Sequence, residues 1–319
     1  MLGRILVHGG AGFWKKDVSR GLAGVREAAS EGLGTLTRGG TALDAVEAAV
    51  IVMEDNPVFN AGKGSSLNAS GSIEMDAGIM DGRDLSAGAV AMVRRVKNPI
   101  RLARIVMEKT DHVLLAGDTA EKLAKIVGLP EANPMTDHRR KLLVEVKKGG
   151  VDERVSWVQK NRKLLSSNPE LTRLDTVGAL AVDDQGNFAA AASTGGPTMK
   201  MPGRIGDTPL IGSGIYCDNQ AGAATVTGLG EIAIKLVMSR TVCLQMEMGS
   251  TARTSAVDAV KSASKRLKGE AGVIAIDRKG RIASVHNTPC MPWATVDTRS
   301  RRPKARPHGE IVAAVRKVA

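Results

Sequence analysis

Four short blocks between residues 175 and 231 gather hydroxyls, glycines and one arginine. They are Asp175-Thr176-Val177-Gly178, Ser193-Thr194-Gly195-Gly196, Pro202-Gly203-Arg204-Ile205-Gly206-Asp207 and Thr227-Gly228-Leu229-Gly230-Glu231. A threonine hydroxyl is a poor nucleophile unless a base takes its proton. A guanidinium suits bidentate binding of a carboxylate. Read singly, each block is a turn between strands, with threonine as strand former and glycine as turn former.

Commoner chemistries find little support. No G-x-x-x-x-G-K-[ST] run is present, so there is no P-loop. There is no H-E-x-x-H, and Cys217, Cys243 and Cys290 form no C-x-x-C pair, which argues against a zinc site and a disulfide scaffold. His8-Gly9-Gly10 has the look of a lipase oxyanion loop, but G-x-S-x-G is absent. His8, His112, His138, His286 and His308 are scattered and read as structural or exposed, leaving a Ser-His-Asp triad unsupported.

The elements that must position the four blocks follow from patterning. Ile5-Leu6-Val7 reads as a strand entering the glycine loop His8–Gly12. Helices are expected over 19–38 and 41–55, the second behind a Thr41 cap with Asp44 in its first turn. Pro57 ends it, and strands at 73–80 and 86–93 flank Asp81-Gly82. Residues 99–109 and 118–127 read as helices. Residues 178–194 and 272–288 form a near-repeat: Gly, Ala, Asp, Gly, Ala and Thr coincide at 178/272, 181/275, 183/277, 186/280, 189/283 and 194/288. Each unit is a strand, an Asp-x-x-Gly turn and a second strand. Helices are expected between them, at about 220–247 and 252–267. Paired strands with helices outside suggest stacked sheets.

Composition sets the bounds. The 319 residues are 43% apolar and 24% charged, which excludes wholesale disorder. Thirty-six glycines accompany only three Phe, three Trp and one Tyr, so nucleic-acid recognition by base stacking is not expected. Of the net charge of +12, residues 297–319 carry +5 and residues 134–175 carry +4. The latter read as one or two exposed helices leading into a mobile connector, and the former as a solvated basic tail, with a helix over 309–318 or polyanion binding as alternatives. With no signal-peptide layout and no apolar run of membrane-span length, the expected location is the cytoplasm.

Taken in order, the blocks resemble the plant-type asparaginase or isoaspartyl peptidase family, threonine-type N-terminal-nucleophile (Ntn) hydrolases. The resemblance runs from about residue 4 to 290. It includes His8–Gly12, Asn56-Pro57-Val58-Phe59-Asn60-Ala61-Gly62-Lys63-Gly64-Ser65, Glu74-Met75-Asp76-Ala77, Met80-Asp81-Gly82 and Lys97-Asn98-Pro99-Ile100.

This resemblance implies an α+β fold, a four-layer αββα sandwich, made as one precursor. The precursor would cut itself between Asp175 and Thr176 into chains 1–175 and 176–319. The new α-amine of Thr176, with an ordinary pKa of about 7.7–8.0, would be a general base beside its own hydroxyl. By the same resemblance Thr194 hydrogen-bonds the nucleophile, Thr227 and the Gly228 N–H form the oxyanion hole, and Asn60 lies nearby. Arg204 grips the substrate α-carboxylate and Asp207 its α-ammonium, with Gly228 and Gly230 lining the substrate site. Residues 53–63 match a sodium loop, where carbonyls of Met53, Glu54, Asn56, Phe59, Ala61 and Lys63 would hold a structural Na⁺; a loop closed by its own hydrogen bonds is the alternative. No catalytic cofactor is implied. L-asparagine and β-aspartyl dipeptides are the implied substrates, and a dimer of αβ units the implied assembly.

Two features depart from the pattern. Asp175 stands where plant-type members usually have Gly, and Arg299-Ser300-Arg301-Arg302-Pro303-Lys304 aligns with nothing in the family. Glycosylasparaginase-like activity, or a non-cleaving basic binding protein, stay open as alternatives.

Overall fold

The two hairpins expected from the near-repeat are both present, and they lie in different sheets. A computed structural model describes residues 2–14, 17–148, 176–300 and 302–312. The elements begin with β1 (Arg4–His8), α1 (Val18–Thr37), α2 (Ala42–Asp55), β2 (Met75–Asp81), β3 (Ala87–Val93), α3 (Pro99–Lys109), β4 (Leu114–Ala116), α4 (Gly117–Ile126) and α5 (Asp137–Lys148). After the undescribed 149–175 come β5 (Val177–Val182), β6 (Phe188–Thr194), β7 (Ile215–Asp218), β8 (Gly222–Gly228), α6 (Gly230–Leu236), α7 (Met238–Glu247) and α8 (Ala252–Leu267). The chain then forms β9 (Ala271–Asp277), β10 (Ile282–His286), β11 (Trp293–Asp297), β12 (Lys304–Arg306) and β13 (Glu310–Ile311).

One sheet has the order β12-β11-β1-β5-β6-β2-β3-β4 and the other β13-β10-β9-β8-β7. Neighbours are antiparallel except β3–β4 and β10–β13. The two-residue period of a strand sorts the side chains into layers. Ile5, Val7, Ala179 and Ala181 face α1 and α2, in one cluster with Val25, Val46 and Val50. Leu6, Leu180 and Val182 point the other way, into an inter-sheet layer with Ala223, Ile274 and Ile276. Ala224, Val273 and Ala275 face α7 and α8, against Val242, Ala256 and Val260. The layers run helix, sheet, sheet, helix: the αββα sandwich.

The near-repeat has a shared physical basis. Asp183 and Asp277 each end a first strand, and each accepts the N–H four residues on, from Asn187 at 2.8 Å and Arg281 at 3.1 Å. The second carboxylate oxygen of each then reaches a helix start in its own outer layer. Asp277 Oδ2 accepts Ala252 N–H at 3.1 Å, and Asp183 Oδ2 accepts Ala42 N–H at 3.5 Å. A carboxylate there satisfies an unpaired donor and meets the positive end of the helix dipole. Both helices also have a threonine N-cap, Thr41 and Thr251.

Two expectations are corrected. The helix expected over 220–247 begins only at Gly230, because Gly222–Gly228 is β8 in the interior of the second sheet, with β7 beside it. Alanines favour helices in isolation, but here Ala223 and Ala224 fill the two faces of a buried strand. The tail is not a solvated appendage over its described part. β12 extends the first sheet along β11, and β13 pairs in parallel with β10. Arg253 grips Glu310 through two hydrogen bonds, at 2.7 and 2.8 Å. No helix covers 309–312, and residues 313–319 lie outside the described residues. Of the expected 134–175 stretch, 134–136 are irregular, 137–148 is α5, and 149–175 lies outside the described residues.

A chain ending after Ser300 should therefore lose both edge ladders. Its thermal midpoint is expected to fall by about 3 °C or more; an unchanged midpoint in differential scanning calorimetry would show that β12 and β13 contribute nothing.

Candidate active site

Thr176 stands just before β5, opposite Thr194 at the end of β6, since Val177 pairs with Ser193 in the ladder between them. Thr176 Oγ1 donates to Thr194 Oγ1 at 3.3 Å. Thr227, near the end of β8, comes from the other sheet. Its hydroxyl oxygen accepts the N–H groups of Thr176 at 3.4 Å and Ala11 at 3.3 Å. Two N–H groups converging on this oxygen direct its hydrogen away from them. All three threonines are buried.

A small cleft opens at these strand ends, lined by Asn60, Thr176, Thr194, Gly196, Pro197, Arg204, Asp207 and Gly228. Residues far apart in the chain thus meet at one place. Asn60 ties two loops together: its Nδ2 donates to Gly196 O and its Oδ1 accepts Ser66 N–H, both at 2.7 Å. Thr194 Oγ1 also accepts Gly196 N–H at 3.0 Å. A wider groove against α8 and β13, lined by Val257, Lys261, Lys265 and Ile311, lacks any comparable set of groups. Chemistry rather than size marks the site.

Arg204 and Asp207 put opposite charges on one wall. Arg204 Nε donates to Glu231 Oε1 at 3.0 Å. Burial works against the Glu231 carboxylate, but the Arg204 hydrogen bond and charge hold it below the usual range. Asp207 is buried, and its Oδ2 has no hydrogen-bond partner. Burial pushes its carboxyl up to about 6, against the lowering effect of Arg204 and with smaller raising effects from Glu231 and Asp76. Gly230 is required here, because a Cβ would lie 2.7 Å from Arg204 Nη2 and 2.8 Å from Asp207 Oδ1. Gly228 has φ +120, a conformation that only glycine adopts readily, where β8 gives way to α6.

His8 lies beneath this site and hydrogen-bonds the backbone of Thr176. Its ring is buried, Nε2 is 3.0 Å from Thr225 Oγ1, and burial lowers its pKa to about 3, so it stays neutral. His286 is likewise lowered to about 4 by burial. Neither is poised as a base near neutral pH. Among the described residues no cluster of His, Cys, Asp and Glu could hold a metal ion.

In the 53–63 segment, Glu54 O accepts Lys63 N–H at 2.7 Å and Asn56 O accepts Phe59 N–H at 3.1 Å. A Cβ on Gly62 would lie 2.5 Å from Glu54 O, and one on Gly64 2.9 Å from Phe59 O. Gly62 and Gly64 thus pack closely against loop carbonyls at the end of α2, and the segment is closed in part by its own hydrogen bonds. Asp175 lies outside the described residues. Sequence reasoning assigns no role to Glu231, Gly196, Pro197 or Lys200. Gly196 and Glu231 fall within the blocks the sequence singles out but carry no assigned role there, Pro197 lies just beyond one of them, and Lys200 stands out only once its burial is known.

The Asparaginase family model matches residues 1–303. A plant-type L-asparaginase of Pyrococcus abyssi is 46% identical over 304 residues, covering 94% of this chain and 98% of that protein. Isoaspartyl peptidase/L-asparaginases of Danio rerio and Rattus norvegicus are 44% and 45% identical, each over 92% of this chain and over 92% and 85% of their own lengths.

Asp207 gives this site a pH dependence whose sign is fixed. Folding favours the protonated acid, so the associated stability is present below the ordinary pKa of 3.8 and is lost as pH rises through about 6. If Asp207 holds a ligand's ammonium group, as the resemblance implies, binding runs the opposite way, since only the carboxylate does so. Affinity for L-aspartate, measured calorimetrically across this range, should weaken as pH falls through about 6; a flat profile would show that Asp207 does not face the ligand.

Proposed function

The chain belongs to the asparaginase family, and from that premise we propose that it is an autoprocessing threonine amidohydrolase that hydrolyses L-asparagine to L-aspartate and ammonia and cleaves β-aspartyl peptides. The observation that carries this is the meeting of Thr176, Thr194 and Thr227 at hydrogen-bond range in a cleft walled by Arg204 and Asp207. The names of the relatives point the same way. They favour this activity over glycosylasparaginase chemistry and over a non-cleaving binding protein.

In processing, Thr176 Oγ1 attacks the carbonyl carbon of residue 175. The peptide C–N bond breaks and an ester forms, with the proton passing to the leaving nitrogen. Water then hydrolyses the ester, leaving Thr176 as an N-terminus. Its free amine becomes the general base.

In turnover the amine takes the hydroxyl proton as Oγ1 attacks the substrate side-chain amide. The Thr227 hydroxyl and the Gly228 N–H receive the oxyanion, each donor worth about 10²–10³ in rate. The amine returns the proton to departing ammonia, or to the departing peptide amine. Water attacks the β-aspartyl ester and aspartate leaves. Arg204 holds the α-carboxylate and Asp207 the α-ammonium throughout, which restricts substrates to those with a free amino-acid head group. Thr194 orients the nucleophile, and Asn60 braces the loops on either side.

The carbonyls of Met53, Glu54, Asn56, Phe59, Ala61 and Lys63 would hold a structural Na⁺. All six are hard oxygen donors; Glu54 O and Asn56 O already accept loop N–H groups and would offer the ion a second lone pair. The ion would tie the end of α2 to the loop that carries Asn60. A dimer of αβ units rests on the family relationship. A cytoplasmic location fits the three free, buried cysteines.

Purified protein should run as two chains on a denaturing gel, the smaller beginning Thr-Val-Gly-Ala. Thr176→Ala should abolish both cleavage and turnover; an intact chain with full activity would overturn the mechanism. Exchanging sodium for a bulky organic cation should lower the thermal midpoint, and a midpoint indifferent to sodium would remove the ion from the loop.

A further inference from the structure

The segment Glu74-Met75-Asp76 belongs to none of the steps above, yet it lies directly behind the substrate clamp. Asp76 pairs with Thr194 across the β2–β6 ladder, so their side chains share one face of the sheet. Its carboxyl group is fully buried. Oδ1 accepts Met92 N–H at 2.9 Å, and Oδ2 has no hydrogen-bond partner.

Lys200 is also fully buried, and its Nζ donates to Glu74 O at 2.6 Å. The Glu74 carboxylate accepts Gly203 N–H at 3.0 Å. Two hydrogen bonds thus hang residues 200–203 on the start of β2, immediately before Arg204.

The charges interlock with the clamp. A Cβ on Gly196 would lie 3.1 Å from Lys200 Nζ and 3.4 Å from Arg204 Nη1, so both cations flank one cleft-lining residue. Gly206 packs against the guanidinium from the far side. Burial raises the Asp76 carboxyl, while Lys200, Arg204 and the Gly206 N–H favour its ionised form. Burial lowers Lys200, Arg204 opposes its charge, and Asp76 and Glu74 support it. Buried charges of this kind persist only when compensated.

We infer that Lys200 and Asp76 are positioning residues: Lys200, hydrogen-bonded to Glu74 O, and the buried Asp76 carboxyl two residues further along hold residues 200–206 against the start of β2 and so set where Arg204 and Asp207 meet a substrate's head group. The pair touches no reacting atom. Arg204 keeps its Nε on Glu231, and its other guanidinium nitrogens remain to meet a ligand carboxylate. The inference rests on the proposed amidohydrolase function, and turnover of L-asparagine by the unaltered enzyme tests that function separately.

The experiment compares Lys200→Met, Asp76→Asn and the double variant, each as the full processed protein. Each single change strands a buried charge and should lower the thermal midpoint; removing both should restore most of it. The KM for L-asparagine should stay about tenfold above wild type in all three, with kcat nearly unchanged, because binding rather than the chemical step is affected. A KM that recovers together with the midpoint in the double variant would make the pair merely structural and overturn the inference. If the double variant does not fold, Asp76→Asn decides, being isosteric and able to keep the Met92 hydrogen bond: an unchanged KM overturns the inference, and a raised KM with unchanged kcat supports it. Calorimetric binding of L-aspartate to the same proteins reads the clamp without turnover; equal affinity in wild type and variants overturns the inference even if the enzyme acts on another substrate.

Discussion

The register of β5 between β1 and β6 is the constraint on which the rest depends. Thr176 is the residue before that strand, and the ladder on both sides determines where its hydroxyl and nitrogen lie. A chain terminus ordinarily frays. One proposed to serve as a catalytic base must be held to a fraction of an ångström, and an interior strand of a sandwich can do this. The hold begins at once: Val177, one residue beyond the proposed nucleophile, is already paired with Ser193.

A single sheet could not complete the site. Thr194 comes from the same sheet as Thr176, but Thr227 comes from β8 in the other. The two sheets must pack closely for Thr227 Oγ1 to come within 3.4 Å of Thr176 N. The inter-sheet layer mixes Ala190, Ala192 and Ala223 with larger groups such as Leu180, Ile274, Met80 and Phe188.

The charged groups behind the threonines obey a second constraint. Arg204, Asp207, Asp76 and Lys200 occupy positions where an uncompensated charge would be costly, so each is balanced by another of the set. Glu231 meets Arg204 at the more exposed edge. The result is a wall whose charges are prearranged rather than assembled around a ligand.

Much of this is legible in the residues themselves. The helices at 42–55 and 99–109 declare themselves by apolar stripes with a capping threonine or an N-terminal proline, and the Asp-x-x-Gly turns expose two hairpins, because local chemistry forms both features. The order of the threonine, arginine and aspartate blocks points to the family. What sequence does not decide are matters of contact between distant parts. Gly222–Gly228 reads as helix because alanine's intrinsic preference is helical, and only burial on both faces makes it a strand. The tail looks solvated because its charges are local, whereas its pairing with β10 and β11 depends on edges formed elsewhere. The proximity of Lys200 and Asp76 to the clamp is likewise a product of the β2–β6 ladder and the loop hung upon it, since nothing in either residue's neighbours specifies the other.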